Sequence, residues 1–199
     1  MSPRRTRETW VFGYGSLVSK ASMARTIGRV VGADEVAPAR LAGYGRRWNY
    51  GALEVAGAWD RDGVRVADGV MVALGVVASA DELCNGVIVR VSDDDLAGLD
   101  LRERHYDRTD VTDRIALAPP VDGIATAQPD GVRIVTYVPR PVAIEHYESA
   151  RDVGRAAIRQ DYWDLVTHAF TALGPRHLDE YRTTPLPDVP IVDMTWTPR

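Results

Sequence analysis

WVFGYGSLVSK, residues 10–20, is an apolar run, Trp10 to Phe12, that meets Gly13-Tyr14-Gly15-Ser16 and then small residues and a lysine. An apolar triplet ending at glycines reads as a short buried strand that bends and starts a helix. Three glycine motifs fail here. A dinucleotide fingerprint needs a third glycine where Val18 stands. A phosphate-binding loop needs Gly-Lys-Ser/Thr at its end, which is missing. A nucleophile elbow needs glycines two residues either side of its serine, and Tyr14 and Val18 occupy those places around Ser16. What remains is strand, bend and helix start. The residues read first as a plain structural turn, with a concavity of backbone N–H groups that takes an anion as the alternative.

Working outward, residues 19–28 read as a short helix, with Ser19 able to cap it and Gly28 to end it. A second strand begins at VAPARLAGYGRRWNYG. GALEVAGAWDRDGVRVADG reads as a loop or irregular hairpin. VMVALGVV and NGVIVRVS read as two β runs separated by a polar stretch. RTDVTDRIALA and VRIVTYVP read as two more strands, and residues 147–174 as helical up to Gly174-Pro175. Residues 1–8 read as a flexible basic tip. The Pro-rich tail, 186–199, is expected to lie extended on the body. Strands dominate the first two-thirds and helices the last third, without βαβ alternation, so the fold class is α+β.

The chain has 199 residues, 45% of them hydrophobic, enough for one domain with its own core. A net charge of −4 argues against general attraction to nucleic acid. The lone cysteine, Cys84, fits a reducing compartment, and no apolar run is long enough to span a membrane. A cytoplasmic protein is expected.

The second informative segment is SDDDLAGLDLRERHYDRTDV, residues 92–111. Ser92 is a plausible N-cap and three aspartates suit the positive helix start. Leu96, Leu99 and Glu103 fall on one helical face. Burial and the negative end of the helix would both raise the Glu103 pKa, as a general acid–base requires. A surface ion-pair cluster with Arg102, Arg104 and Arg108 is the competing account. Asp100, one turn away, is the rival for a catalytic role. The four histidines lack metal-ligand spacing, so no metal site is expected. Cys84 reads as small apolar filler, Tyr162-Trp163 as core, and Gly45-Arg46-Arg47-Trp48 as a solvated strand end that could grip an anion.

Taken in order, FGYGSL, LAGYGRRW, LDLRERHYDRTDV, TYVP and DYWDLVTHAFTALG resemble the signature segments of the γ-glutamylcyclotransferases, including the ChaC-like branch. The match runs over residues 9–185. The resemblance implies a compact mixed β-barrel-like sheet with flanking helices, and conversion of a γ-glutamyl amide to 5-oxoproline and a free amine. It implies that Glu103 is the catalytic acid–base. Tyr14, Gly15, Ser16 and Leu17 would form the substrate-holding loop, and Tyr162 would line the pocket. It implies no metal or redox cofactor, and no partner beyond a small γ-glutamyl substrate. Neither nucleic acid nor membrane is expected as a partner, and the oligomeric state stays open. The chain departs from the ChaC-like branch at Val18-Ser19, where that branch carries an apolar residue and then Trp, and over WNYGALEVAGAWDRDG. Glutathione therefore stays open as substrate. The rival accounts are a binding module of the same fold and an amide-processing enzyme with Cys84 or Ser16 as nucleophile.

Overall fold

A computed structural model describes residues 8–117 and 131–199. The expected basic tip lies outside the described residues, apart from Glu8. The elements run β1 (Glu8–Gly13), α1 (Lys20–Ile27), β2 (Val36–Gly51), β3 (Val55–Arg61), β4 (Val64–Val91), α2 (Asp93–Arg102), β5 (Tyr106–Asp110), β6 (Ile115–Leu117) and β7 (Val132–Pro139). They continue α3 (Pro141–Asp152), β8 (Ala156–Arg159), α4 (Gln160–Ala172), α5 (Pro175–Arg182), β9 (Ile191–Val192) and β10 (Thr195–Pro198). This is the expected α+β class: one mixed sheet with helices packed around it. Among the described residues, no helix is long and apolar enough to cross a membrane.

β4 is the organising strand. One of its edges pairs antiparallel with β2, from Val36 opposite Val89 to Gly51 opposite Val72. It also pairs with β3 at its start, with β8 in parallel over Val70–Val72, and with β1 over Val87–Val91. β7 lies parallel to the far side of β1, and β5 beyond it. β1 is thus central, and Val11 and Phe12 are fully buried. Each such side chain contributes about 1.5–3 kcal/mol.

Three expectations are corrected. The two β runs at 70–77 and 85–92 are parts of one strand, because β2 pairs on both sides of the polar stretch, Tyr44 opposite Ala78 and Ala42 opposite Leu83, across a register shift at 79–82. The helical run at 147–174 is interrupted by β8, whose Ala156, Ala157 and Ile158 are buried beside β4. There the parallel pairing with β4 outweighs the helix propensity of alanine. Arg46 is not at a solvated strand end. It is 5% exposed, donates to Asn85 O and Oδ1, and stacks 4.7 Å over Phe170 and 5.4 Å over Tyr181. Cys84 is buried filler, as read.

Candidate active site

β1 delivers the glycine stretch to the end of the sheet. The chain then makes a single 3-10 turn, Ser16–Val18, before α1. Its hydrogen bonds run from Val18 N–H to Gly15 O (3.0 Å) and from Ser19 N–H to Ser16 O (3.1 Å). The N–H groups of Gly15, Ser16 and Leu17 precede that ladder, as at any helix start. The two glycines serve different ends. A Cβ on Gly13 would stand 2.8 Å from Leu17 Cβ, so Gly13 lets the turn close. A Cβ on Gly15 would point at Tyr162 Oη (3.3 Å) and Leu74 Cβ (3.4 Å), so Gly15 keeps space open.

That space is a cavity lined by Phe12, Tyr14, Gly15, Ser16, Leu17, Leu74, Glu103, Tyr106, Tyr137 and Tyr162. It is small, with about 30 Å³ of free volume, and part of it opens to solvent. It sits beside the edge of β4 in the interval between β8 and β1. In that interval Leu74 N–H donates to Tyr162 Oη (3.4 Å), and Tyr106 Oη donates to Leu74 O (3.3 Å). Two tyrosine hydroxyls thus take the place of a neighbouring strand.

Glu103 is the C-cap of α2. Its N–H donates to Leu99 O, and its C=O accepts from Tyr106 N–H, so the turn into β5 fixes its backbone. The leucine face read from sequence is real: Leu99 is fully buried and Leu96 nearly so. The Glu103 side chain is only 13% exposed. Burial pushes its pKa up and the Glu54 carboxylate adds to this, while Arg102, 3.0 Å away, opposes them. The net direction is up. Of the ion-pair cluster read from sequence, only Arg102 pairs with Glu103; Arg104 pairs with Glu54 and Arg108 with Asp100, and Glu103 also lines the cavity.

Asp100 is held elsewhere. It accepts from Tyr137 Oη (2.8 Å), pairs with Arg108 (2.5 Å) and is 42% exposed. It braces a wall tyrosine and does not line the cavity. Tyr14 donates to Tyr137 O (2.6 Å), and burial raises its pKa well above the usual range. Tyr162 is pushed up to about 12 by burial. All these phenols stay protonated at neutral pH.

The structure therefore brings Tyr14, Gly15, Ser16, Leu17, Glu103 and Tyr162 to one cavity. Tyr106, Tyr137 and Leu74 were not singled out from sequence. The tyrosines stood within quoted segments, but only pairing of β5 with β7 turns both toward Glu103. The nucleophile rivals lose support. Ser16 Oγ accepts from Arg102 Nη2 (2.8 Å), and a guanidinium cannot take a proton. Burial raises the Cys84 thiol pKa, opposite to what a thiolate nucleophile needs. Among the described residues, no group of three or more His, Cys, Asp or Glu is placed to hold a metal.

No protein-family model matches the chain. It is 28% identical over 177 residues to gamma-glutamylcyclotransferase 2-3 of Arabidopsis thaliana, covering 83% of this chain and 81% of that one. In fold it is similar to a yeast γ-glutamyl cyclotransferase specific to glutathione, with TM-score 0.53 and 13% identity over 88% of this chain and 96% of that one. A second solved γ-glutamyl cyclotransferase gives TM-score 0.50 and 13% identity over 91% and 90%. The chain thus resembles the γ-glutamylcyclotransferases in sequence and has their fold.

Proposed function

We propose that this chain is a γ-glutamylcyclotransferase. The substrate's own α-amine attacks its γ-carbonyl. One C–N bond forms and closes the five-membered ring, the other breaks, and 5-oxoproline and a free amine leave. The observation that carries this reading is one buried carboxyl, Glu103, lining the same cavity as Gly15, Ser16 and Leu17 of the helix-start turn. Holding amine and carbonyl together in a folded glutamyl group lowers much of the barrier by positioning. Glu103 takes a proton from the α-ammonium and passes it to the leaving amine. The raised pKa suits both halves, since a carboxyl near its ordinary value is a poor base for an ammonium. The N–H groups suit the tetrahedral oxyanion or the α-carboxylate. The Tyr14, Tyr106 and Tyr137 hydroxyls donate to backbone or to Asp100 and so shape the walls, whereas Tyr162 Oη accepts from Leu74 N–H and keeps its own proton to donate.

The test is 5-oxoproline release from a panel of γ-glutamyl amides, glutathione among them, by wild type and Glu103→Gln. The variant should keep its circular dichroism spectrum and lose about 10²–10⁴-fold in kcat. Near-wild-type turnover by the variant would remove Glu103 from the chemistry. Saturable binding of a γ-glutamyl amide without any product would instead support the binding module.

A further inference from the structure

Arg102 has a place in this site that the reaction itself does not demand. Its guanidinium reaches three separate parts of the fold. Nη1 donates to Thr26 Oγ1 (2.6 Å) and Ser22 Oγ (3.2 Å) on α1. Nη2 donates to Ser16 Oγ (2.8 Å) in the turn. Nε lies 3.0 Å from Glu103 Oε1. Resting on the cyclotransferase reading, we propose that Arg102 is a positioning residue that locks the Ser16 turn and the Glu103 carboxylate into one rigid unit.

A guanidinium is a planar fork, so satisfying one edge fixes the direction of the others. Anchored on α1, the fork cannot follow Ser16 or Glu103 if either swings away. The contact also orients Ser16. Its oxygen accepts from Arg102, so its proton is free to point elsewhere, and Ser16 lines the cavity. Ser16 thereby becomes a hydrogen-bond donor toward an anionic part of the substrate. The Arg102 side chain is 31% exposed, but its partners span α1, the turn and the end of α2, unlike an ordinary surface pair.

The charge has a second effect. Glu103 is faced by Glu54, from the segment between β2 and β3, and by Tyr14, Tyr50, Tyr106, Tyr137 and Tyr162. The tyrosines are neutral at working pH. Burial and Glu54 push Glu103 up, and Arg102 is the cation that restrains it. Arg102 thus limits the rise that burial and Glu54 impose on the Glu103 pKa.

Arg102→Gln and Arg102→Lys separate the two effects. The readouts are carbon-13 NMR titration of the Glu103 carboxyl, which needs no turnover, and the pH profile of kcat/KM, with thermal melts for folding. Arg102→Gln should titrate Glu103 at higher pH, move the acid limb the same way, and lose about 10²-fold in kcat/KM, the scale of a small misplacement. Arg102→Lys keeps the charge and loses the fork. Its Glu103 should titrate near wild type while the rate stays low. An unmoved Glu103 titration in Arg102→Gln, or full activity in Arg102→Lys, would overturn the proposal. A shifted titration together with a wild type that releases no 5-oxoproline from any amide would retain the Arg102 arrangement and reject the function.

Discussion

Gly15 and Ser16 are neighbours, yet they fail differently when replaced. A β-branched side chain at 15 must send its carbons into Tyr162 and Leu74, the walls of the cavity. Loss of the Ser16 hydroxyl removes its bond to Arg102 and one donor to substrate, each a bond to a charged group worth about 1.5–3 kcal/mol. Gly15→Val should therefore lower kcat/KM more than Ser16→Ala, with both folded by circular dichroism. A dead Ser16→Ala beside a working Gly15→Val would return serine to contention as the nucleophile. At this scale the sequence was informative about identity. Gly13, Gly15 and Glu103 are conspicuous in the sequence alone. What it concealed was division of labour: turn closure for Gly13 and open space for Gly15 depend on neighbours 4 to 147 positions away in the chain.

At the scale of elements, α2 presents Glu103, and its start is unusually well fastened. Ser92 Oγ accepts from Asp95 N–H (3.1 Å), and Asp95 Oδ2 accepts from Ser92 N–H (3.0 Å). Asp95 also pairs with Arg29 at 2.8 Å. Burial alone would raise the Asp95 pKa, but the Arg29 and Ser92 hydrogen bonds outweigh it and hold it below the usual range. A carboxyl depressed in the folded state adds stability above its unfolded pKa, about 3.9, and loses it as pH falls through the folded value. The stability gap between wild type and Asp95→Asn, from urea unfolding, should thus be full at neutral pH and shrink below about pH 4. A gap that stayed constant with pH would mean that the charge contributes nothing. Ser92→Ala should cost about 1 kcal/mol by the same assay. This cap was legible because capping is local in sequence. β8 was not, because four residues of RAAIR acquire strand geometry only from pairing with β4 and β9, which lie far off in the chain.

At the scale of the whole molecule, the tail is a clasp. β9 pairs in parallel with β8, and β10 pairs antiparallel with β3. Met194 packs where a Cβ on Gly57 would sit, Pro190 O accepts from Ile158 N–H, and Arg199 N–H donates to Glu54 O. The extended course was readable from the prolines. The consequence was not, because it connects the tail to the residue whose carboxylate raises the Glu103 pKa. A chain cut after residue 189 leaves β3 as an edge and frees the backbone of Glu54, although Arg104 and His105 still hold its side chain. Three results are expected. The melting temperature should drop, by about 2–4 °C for each kcal/mol lost. Amide exchange should quicken in β3 and at residues 52–55. The acid limb of kcat/KM should move to lower pH, since a carboxylate that retreats from Glu103 no longer raises it. Glu54→Gln in the full-length chain should move the limb the same way without the thermal loss. If truncation leaves exchange at 52–55 and the acid limb unchanged, the tail fastens the hairpin alone and has no part in tuning the site.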